Sequence, residues 1–384
     1  MEHSHAPQKH KPTFVRRCLT FGERVRYHLE YRRRLKGFRR QALQGTFGHL
    51  SRGEANIIRA FWLGYGIKRI NMDWYRLYKG LLGEADPRYI PEEVFRIDIE
   101  PILNRRDVAM AYHDKNRLNR LFPEISTPRV VLRNIYGRYF DGNYSPITMT
   151  AGYEAITAQD ANYILKPAIS GTGSGLNVIL IRGEHGKLFI EDRPWNLADI
   201  ERIYVQDFLL QEVVKQHSSL AVFHPGSLNT VRVITFRFEQ VIHVLAAVLR
   251  MGNGSYVDNA HAGGLVCGID VETGQLTSFA YDVPFTRYEQ HPVSKVSFQR
   301  QTITGFNRIK MLARCLHERL DYFDVLAFDV CVCEDETPCL IEINTFGQAI
   351  EPFQILKGAP LFGALTEPIL ELVARRRREG WNRA

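Results

Sequence analysis

The sequence predicts an α+β protein in which a mostly helical N-terminal region precedes two β-rich lobes. Two observations support this fold class. Apolar residues recur at helical spacing before residue 105, and β-branched, partly alternating segments dominate the chain after it. The 384 residues, 45% of them hydrophobic, suffice for two or three domains with cores of their own.

The first region, residues 1–105, shows no alternation of strands with helices. Its apolar positions follow one helical face. The residues that share this face are Ile57, Ile58, Phe61, Trp62 and Tyr65. Pro87 and Pro91 indicate a loop near the end of this region.

Residues 106–205 predict the smaller lobe. A helix-like stretch from Asp107 to Leu121 ends before Pro123, and strand candidates follow it. These candidates are Arg129–Arg133, Tyr163–Pro167, Asn177–Arg182 and Lys187–Glu191. The last two flank Gly183-Glu184-His185-Gly186, which is typical of a hairpin turn.

Residues 206–384 predict the larger lobe, with a metal site and a C-terminal helix. A helix is expected from about Phe298 to Leu320, among segments of strand-like composition. The strand candidates are Phe208–Val214, Thr230–Phe238, Val241–Met251, Gly264–Val271, Gln275–Tyr281, Val325–Val332 and Cys339–Ile343.

Positive charge is concentrated near the two ends of the sequence. The formal net charge is +8, and residues 11–40 contain eleven Lys or Arg against Glu23 and Glu30. A solvated helical face is the favoured interpretation, and a peripheral contact of residues 11–40 with an anionic surface stays open. No recognisable nucleic-acid-binding module accompanies the charge, so no nucleic-acid partner is expected.

The sequence contains no run of about 18 apolar residues and no apolar core of a secretory signal. Its six cysteines form no C-x-x-C pair, and most lie in apolar segments. We therefore predict buried thiols in a cytoplasmic protein, with a zinc site as the weaker alternative.

Two apolar segments near the C-terminal end each carry an acidic residue. Asp329 lies between Phe328 and Val330, while Glu342 and Asn344 are two residues apart and share one strand face. A polar turn separates the segments, so a hairpin would bring the three oxygen donors together. Hard oxygen ligands suit Mg²⁺, which usually completes its shell with phosphate oxygens. The alternative is the ordinary outward face of a half-exposed strand.

A second candidate site begins where a strand ends in Lys166. The following loop alternates glycines with hydroxyl residues, in the order Ser170, Gly171, Thr172, Gly173, Ser174 and Gly175. Such a loop lets backbone N–H groups approach phosphates, and Lys166 adds a charge. The pattern is neither a Walker A nor a Rossmann motif, because a strand follows it. A phosphate lid and a flexible surface hairpin are the two interpretations.

Polar interruptions mark three further segments. Gln211 and Glu212 end an apolar strand and, with Lys215, predict contacts to a nucleotide base and ribose; an edge strand meeting solvent is the alternative. Arg232 and Arg250 lie on neighbouring strand candidates and suit phosphate or carboxylate recognition. A polar, glycine-rich segment between hairpins predicts a substrate loop. Its candidate residues are Asn259, His261, Gly263 and Gly264, with His261 as an acid–base group or a structural histidine.

Taken in order, these residues resemble the ATP-grasp superfamily, a fold of two lobes that clamp ATP. The resemblance covers about residues 110–350. It rests on Asp114-Lys115, Lys166 with its glycine loop, Gln211-Glu212, Arg232, Arg250, and Asp329 with Glu342-x-Asn344. Two segments, 229–233 and 257–264, are similar to the sugar-transfer-associated branch, whose name reflects an association with glycan biosynthesis.

The resemblance implies ATP and Mg²⁺ as cofactors and a role for each matched residue. Lys115, Lys166 and the glycine loop, acting as a lid, would contact the phosphates. Gln211, Glu212 and Val214 would contact the base, and Lys215 would lie near the ribose. Mg²⁺ would bind Asp329, Glu342 and Asn344. Arg250 would face the γ-phosphate, supported by Arg232. Typical members carry a Rossmann-like preceding domain, whereas residues 1–105 of this chain predict helices.

Three functions compete at this stage. The first is an ATP-dependent ligase that activates a carboxylate as an acyl phosphate and joins it to an amine, in glycan, peptide or natural-product biosynthesis. The second is a kinase of the same fold that phosphorylates a sugar-like or polyol hydroxyl. The third is a non-catalytic binding protein that uses the basic segments.

Overall fold

A computed structural model of the chain describes residues 46–169, 178–190, 192–254, 263–282 and 285–381, together with positions 22, 25, 29 and 32. Several predicted features lie outside these residues. They are the glycine-loop residues Ser170, Gly171, Gly173, Ser174 and Gly175, the loop residues Asn259 and His261, and most of the basic segment 11–40.

The chain divides into two compact units. The first comprises residues 1–107 and 364–384, and the second comprises residues 108–363. The predicted C-terminal helix, Thr366–Glu379, belongs to the first unit, although its sequence follows the large lobe directly. Apart from residues 106–107 and 364–384, both predicted nucleotide-binding lobes lie within the second unit.

Helices make up the described part of the first unit, as the sequence predicted. Ser51 begins the first helix with a capping box, in which its side chain and that of Glu54 satisfy each other's backbone N–H groups. In chain order the helices with bounds in the described ranges from residue 46 onward are α1 Arg52–Gly64, α2 Met72–Leu82, α3 Glu92–Val94, α4 Glu100–Leu103, α5 Arg106–His113, α6 Leu118–Leu121, α7 Met149–Thr157, α8 Leu197–Tyr204, α9 Ser218–Ala221, α10 Phe306–Glu318, α11 Glu351–Lys357 and α12 Thr366–Glu379. A π-helical turn, Phe95–Ile99, separates α3 from α4, and 3₁₀ turns occupy Lys115–Arg117 and Gly363–Leu365.

Fourteen described strands form two antiparallel sheets in the second unit. The first sheet has the order β2-β1-β7-β3-β4-β5-β6, and the second has the order β12-β11-β10-β9-β8-β13-β14. The strands are β1 Val130–Ile135, β2 Arg138–Asp141, β3 Ala161–Pro167, β4 Ile179–Glu184, β5 Lys187–Ile190, β6 Arg193–Trp195, β7 Phe208–Glu212, β8 Thr230–Phe238, β9 Val241–Met251, β10 Leu265–Ile269, β11 Leu276–Tyr281, β12 Arg287–Tyr288, β13 Val325–Val332 and β14 Pro338–Asn344.

Strand β7 lies in the middle of the first sheet, although it follows the predicted lobe boundary at residue 205. It pairs with β1 on one side and β3 on the other, so both of its backbone edges are hydrogen-bonded within the smaller lobe. The chain therefore passes from the first sheet to the second after Glu212.

The predicted helix from Asp107 to Leu121 is broken in the structure. Helix α5 ends at His113, and Asp114 adopts an extended conformation whose side chain accepts a hydrogen bond from the backbone N–H of Asn116 at 2.9 Å. The cause is the competition of a short acidic side chain with the helical hydrogen bond. The break lets the N–H of Lys115 donate to the carbonyl of Ala168 at 2.9 Å, just beyond β3.

The larger core lies between one face of the second sheet and helix α10. Alternate residues of β8 and β13, such as Val233, Phe328 and Val330, are buried against this helix. The helix contributes Ile309 and Leu316 from its apolar face. Because strand side chains alternate, the other face of the same sheet is left for polar residues.

Buried and exposed thiols both occur among the described cysteines. Cys267, Cys331 and Cys339 are buried, as the sequence predicted, and Cys333 is half-buried. The prediction is wrong for Cys315, which is exposed because it lies on the outer face of α10. No helix among the described residues has the length and apolar character needed to cross a bilayer.

Replacing Phe328 tests the larger core. Its side chain is fully buried on β13, so Phe328→Ala should lower the free energy of unfolding by about 3–5 kcal/mol. The matched control is Tyr322→Ala, because that side chain is 51% exposed and its loss should change stability by about 0.5 kcal/mol or less. Urea denaturation followed by circular dichroism measures both. Equal losses in the two variants would contradict the assigned core.

Candidate functional site

The polar face of the second sheet carries five of the residues predicted from the sequence. In the hairpin of β13 and β14, Asp329 lies directly opposite Glu342 and Ala327 lies opposite Asn344, which confirms the predicted pairing. On the other side of β13, Asp329 lies opposite Arg232 of β8. Arg250 follows on β9, two residues from the partner of Arg232. The row therefore places two cations, on β9 and β8, beside two anions, on β13 and β14.

Asp329 is the centre of this row. Arg232 donates to both carboxylate oxygens, from Nε to Oδ1 and from Nη2 to Oδ2, each at 2.6 Å. Arg250 adds a third hydrogen bond from Nη1 to Oδ2 at 3.0 Å. The Asp329 side chain is only 4% exposed, so the two guanidinium groups neutralise a nearly buried charge.

Glu342 is paired with the smaller lobe's Lys115. The Lys115 Nζ lies 2.9 Å from the Glu342 Oε1, and the two side chains are 10% and 24% exposed. Burial alone raises the pKa of Glu342, but Lys115, together with Arg232 and Lys166, lowers that pKa to about 2. Glu342 is consequently an anion at every pH near neutrality.

Lys166 adds a second lysine to this cluster. It lies on β3, where it is almost fully buried. Burial, with a smaller contribution from the neighbouring Lys115, lowers the pKa of Lys166 to about 8, although Glu342 and Asp329 oppose the shift. A lysine with a pKa close to physiological pH is typical of functional sites, because the charge that it carries is poorly solvated.

Arg133 holds the turn that carries Lys115, and the sequence did not single it out. Its side chain is fully buried, and its Nη1 donates to the carbonyl of Asn116 at 3.0 Å while Nη2 donates to Asn119 Oδ1 at 2.9 Å. The guanidinium also lies 4.1 Å from the ring centre of Tyr144. The sequence offered one signal for this role, an arginine within the strand β1, because a charged side chain is rarely buried without a partner.

His113, directly before Asp114-Lys115, was also missed. Burial lowers its pKa to about 4, so the ring is neutral at pH 7. Its Nε2 accepts the backbone N–H of Thr345 at 3.3 Å, and the ring stacks on Phe346 with centroids 4.4 Å apart. His113 thus ties the Lys115 turn to the end of β14, which carries Glu342 and Asn344.

The predicted contacts to the base lie where the first sheet ends. Gln211 is buried on the same face of the sheet as Lys166, because Ile164 and Lys166 pair with Gln211 and Leu209. Glu212 faces away and forms an ion pair with Arg129, whose Nη1 lies 2.6 Å from Oε1. This geometry does not place the Glu212 side chain with the lysine cluster.

A cavity of about 390 Å³ follows the end of β7. Its lining residues come from three segments of the chain: Ser126, Thr127, Pro128 and Arg129; Glu212, Val213, Val214 and Lys215; and Cys333, Glu334, Asp335 and Cys339. The volume lies in the range of roughly 300–1,000 Å³ that is usual for small-molecule sites. The cavity brings the predicted hinge residues Val214 and Lys215 next to the β13–β14 hairpin.

A buried polar network holds the chain directly after Arg250, and sequence reasoning missed it as well. The hydroxyl of Ser227 donates to Asn229 Oδ1 at 2.9 Å and therefore accepts from Nδ1 of His224 at 3.1 Å. The other His224 nitrogen, Nε2, accepts the N–H of Gly254 at 3.2 Å. On the other side, His291 Nε2 bonds to the carbonyl of Gly252 at 2.8 Å. Past the undescribed segment, Gly263 adopts a φ of +92° and Gly264 precedes β10.

The residues of the polar face fit a divalent cation. Asp329, Glu342 and Asn344 offer hard oxygen donors, and both carboxylates already hold positively charged side chains. The Nδ2 atom of Asn344 is buried without a hydrogen-bond partner in the described part of the chain. Because amide nitrogen and oxygen are assigned from hydrogen bonding, turning this amide would offer its oxygen instead. Within the described ranges no three His, Cys, Asp or Glu residues gather as a metal site, so phosphate oxygens would have to complete the shell.

The structure therefore brings together most of the predicted residues that it describes. The residues assembled are Lys115, Lys166, Arg232, Arg250, Asp329, Glu342 and Asn344. Their roles toward a nucleotide, like those of Gln211, Val214 and Lys215, stay predictions.

Comparison with known proteins adds an independent finding. Residues 94–368 match the sequence profile of the family described as sugar-transfer associated ATP-grasp. A search among curated proteins found no match.

Solved structures show only distant likeness. An N5-carboxyaminoimidazole synthase from Aspergillus clavatus is 12% identical, with a TM-score of 0.39 over 70% of this chain and 54% of that chain. A D-alanine–D-alanine ligase from Bacillus anthracis is 10% identical, with a TM-score of 0.38 over 70% of this chain and 69% of that one. A biotin carboxylase from Campylobacter jejuni is 10% identical, with a TM-score of 0.43 over 71% and 48%. The matched part of this chain thus spans about half the length of the synthase and of the carboxylase.

Acid stability tests the ion pair of Lys115 and Glu342. The pKa of Glu342 lies at about 2, below its usual 4.5, so the pair stabilises the folded chain above pH 4.5 and this contribution is lost as the pH falls toward 2. Lys115→Met removes the largest attractive cause and should move this loss toward pH 4.5. Circular dichroism melting curves between pH 7 and pH 3 measure the difference from wild type.

The control for this measurement is Arg308→Gln, which removes an exposed pair with Glu336 at 3.8 Å. Its pH profile should follow that of the wild type, because exposed pairs contribute little. A Lys115→Met profile that also follows the wild type would show that Glu342 does not depend on Lys115.

Proposed function

Because the chain belongs to the sugar-transfer associated ATP-grasp family, we propose that it is an ATP-dependent ligase that activates a carboxylate as an acyl phosphate and joins it to an amine. One observation carries this proposal. Two lysines of the smaller lobe, Lys115 and Lys166, meet the acidic pair Asp329 and Glu342 of the larger lobe, next to two arginines.

In this proposal the two lysines bind the phosphates. Lys115 and Lys166 are two nearly buried cations in close proximity, and each lowers the stability of the other's charge. A polyanion placed between them would relieve that repulsion. Lys115 would then exchange its contact with Glu342 for a phosphate oxygen, which leaves the Glu342 carboxylate for a divalent cation.

Mg²⁺ would be held by Asp329, Glu342 and Asn344, where it would neutralise charge on the phosphate oxygens. Arg232 and Arg250 would have different roles, one toward Asp329 and one toward the phosphoryl group. Arg232 binds both oxygens of Asp329 at 2.6 Å, so it orients that carboxylate. Arg250 contacts the same carboxylate at 3.0 Å, and we assign it to the phosphoryl group in transfer.

The proposed reaction has two steps. An oxygen of the substrate carboxylate forms a bond to the γ-phosphorus while the bond to the bridging oxygen of ADP breaks. The amine nitrogen then bonds to the acyl carbon, loses a proton, and phosphate departs. The segment with Asn259, His261, Gly263 and Gly264 would bind these substrates, since it follows Arg250 in the sequence. We also propose that this reaction takes place in the cytoplasm, in glycan, peptide or natural-product biosynthesis.

Product analysis with a site variant tests this function. We expect the wild-type protein to release ADP and phosphate only when a carboxylate and an amine are both present, with a product mass that shows loss of water. Glu342→Gln should reduce ATP turnover by at least about 100-fold, because it removes a carboxylate from the nucleotide site. A coupled ADP assay and mass spectrometry measure the two outcomes.

The exposed residue Glu318 of α10 supplies the matched control, since Glu318→Gln changes the same chemical group away from the polar face and from the cavity. Normal turnover in Glu342→Gln would contradict the metal assignment. A product that retains the phosphate would indicate a kinase acting on a hydroxyl, the alternative from the sequence.

The dependence of ATP affinity on pH tests Lys166. Its pKa of about 8 means that it is mostly charged at pH 7 and mostly neutral at pH 9, so affinity for ATP should fall by about tenfold between these values. Lys166→Met should bind ATP weakly at both values, without this fall. Lys187→Met, a change at an exposed lysine of β5, should keep the wild-type profile. Isothermal titration calorimetry at constant ionic strength measures all three, and a persisting fall in Lys166→Met would refute the assignment.

A further inference from the structure

Three cysteines lie in or next to the hairpin formed by β13 and β14. Cys331 is the direct cross-strand partner of Cys339, and Cys333 follows directly after β13, which ends at Val332. Directly paired residues share one face, so the Cys331 and Cys339 side chains lie on the same side of the hairpin. None of the three is joined in a disulfide within the described residues.

Two of these thiols line the cavity of about 390 Å³ at the end of β7. Cys333 and Cys339 line this cavity together with Val214 and Lys215. The lining segment that begins at Ser126 lies next to the hairpin, because the N–H of Leu340 donates to the carbonyl of Ser126 at 2.8 Å. A group attached to either thiol would therefore occupy this cavity.

The two thiols differ in accessibility and in acidity. Cys339 is buried, whereas Cys333 is half-buried. The Cys339 thiol donates a hydrogen bond to Cys333, and this bond lowers the pKa of Cys333, although burial and the nearby Asp335 and Glu334 oppose it. The same bond, with burial, raises the pKa of Cys339. Cys333 is thus the thiol of the pair that forms a thiolate and meets solvent.

We propose that Cys333 is a thiol-modification site that closes the base end of the nucleotide cavity. Its reaction partner is a small-molecule disulfide. A bond forms between the Cys333 sulfur and one sulfur of the disulfide, the original S–S bond breaks, and the other sulfur leaves as a thiolate. A reducing thiol reverses the exchange. The inference rests on the proposed function, because it assigns the cavity to ATP.

Cys339 is a positioning residue in this arrangement. It keeps its proton, stays buried, and supplies the hydrogen bond that stabilises the Cys333 thiolate. The modification then acts by exclusion: the added group fills the space lined by Val214, Lys215 and Arg129, and ATP is shut out while it remains. The metal-binding face need not move for this effect.

The experiment uses the full chain and the aromatic disulfide 5,5′-dithiobis(2-nitrobenzoate). Peptide mass spectrometry follows labelling at Cys333, with the exposed Cys315 of α10 as the internal comparison. We expect MgADP to slow labelling of Cys333 by at least about tenfold and to leave Cys315 unaffected. Labelled protein should lose ATP binding by calorimetry, and dithiothreitol should restore it.

Two variants separate the contributions of the thiols. Cys333→Ser should have the same ATP affinity before and after treatment with the reagent, because the reactive thiol is gone. Cys339→Ala should slow labelling of Cys333 at pH 7 by at least about threefold and shift its rate profile to higher pH, because the hydrogen-bond donor is gone. Reversal by dithiothreitol in the wild type tests the same site without any variant.

The outcomes distinguish this inference from the proposed function. Protein labelled at Cys333 that still binds ATP would overturn the inference while leaving the ligase proposal intact. Labelling of Cys333 that MgADP does not slow, in protein that binds MgADP, would overturn it equally. Unlabelled protein that binds no ATP would instead contradict the proposed function, and with it the assignment of the cavity.

Discussion

The site depends on the neutralisation of one nearly buried carboxylate. Asp329 lies on β13, between Arg232 of β8 and Glu342 of the edge strand β14, and its side chain is 4% exposed. Burying a carboxylate is costly unless positively charged partners accompany it. Arg232 and Arg250 supply them. Two cations on β9 and β8 thus lie beside two anions on β13 and β14, and Lys115 pairs with the outer anion, Glu342.

Lys115 connects the two sheets of the second unit through the same kind of interaction. Its ammonium pairs with Glu342 of β14, and its backbone N–H donates to the carbonyl of Ala168, directly after β3. This pair contributes to stability. In the proposed function, a phosphate would replace Glu342 as the partner of Lys115, and a metal ion would replace Lys115 as the partner of Glu342.

Much of the local structure could be predicted from the sequence. The bounds of β8, β9 and β13 agree with the predicted segments, because apolar runs rich in β-branched residues have a clear pattern. The hairpin that pairs Asp329 with Glu342 was predicted from the polar turn between two apolar strands. The helix broken at Asp114 was not, since its composition is helical and only a local side-chain bond stops it.

The sequence by itself determined the α+β composition, the helical first region and the acidic hairpin, because each follows from periodicity within a few residues. Tertiary structure decided which charges meet. Three contacts join residues that are distant in the chain. They are the bond from Arg133 to the Lys115 turn, the bond between His113 and Thr345, and the bond between His224 and Gly254. Such contacts have no signature in local spacing, because their energy arises only when burial removes both partners from water.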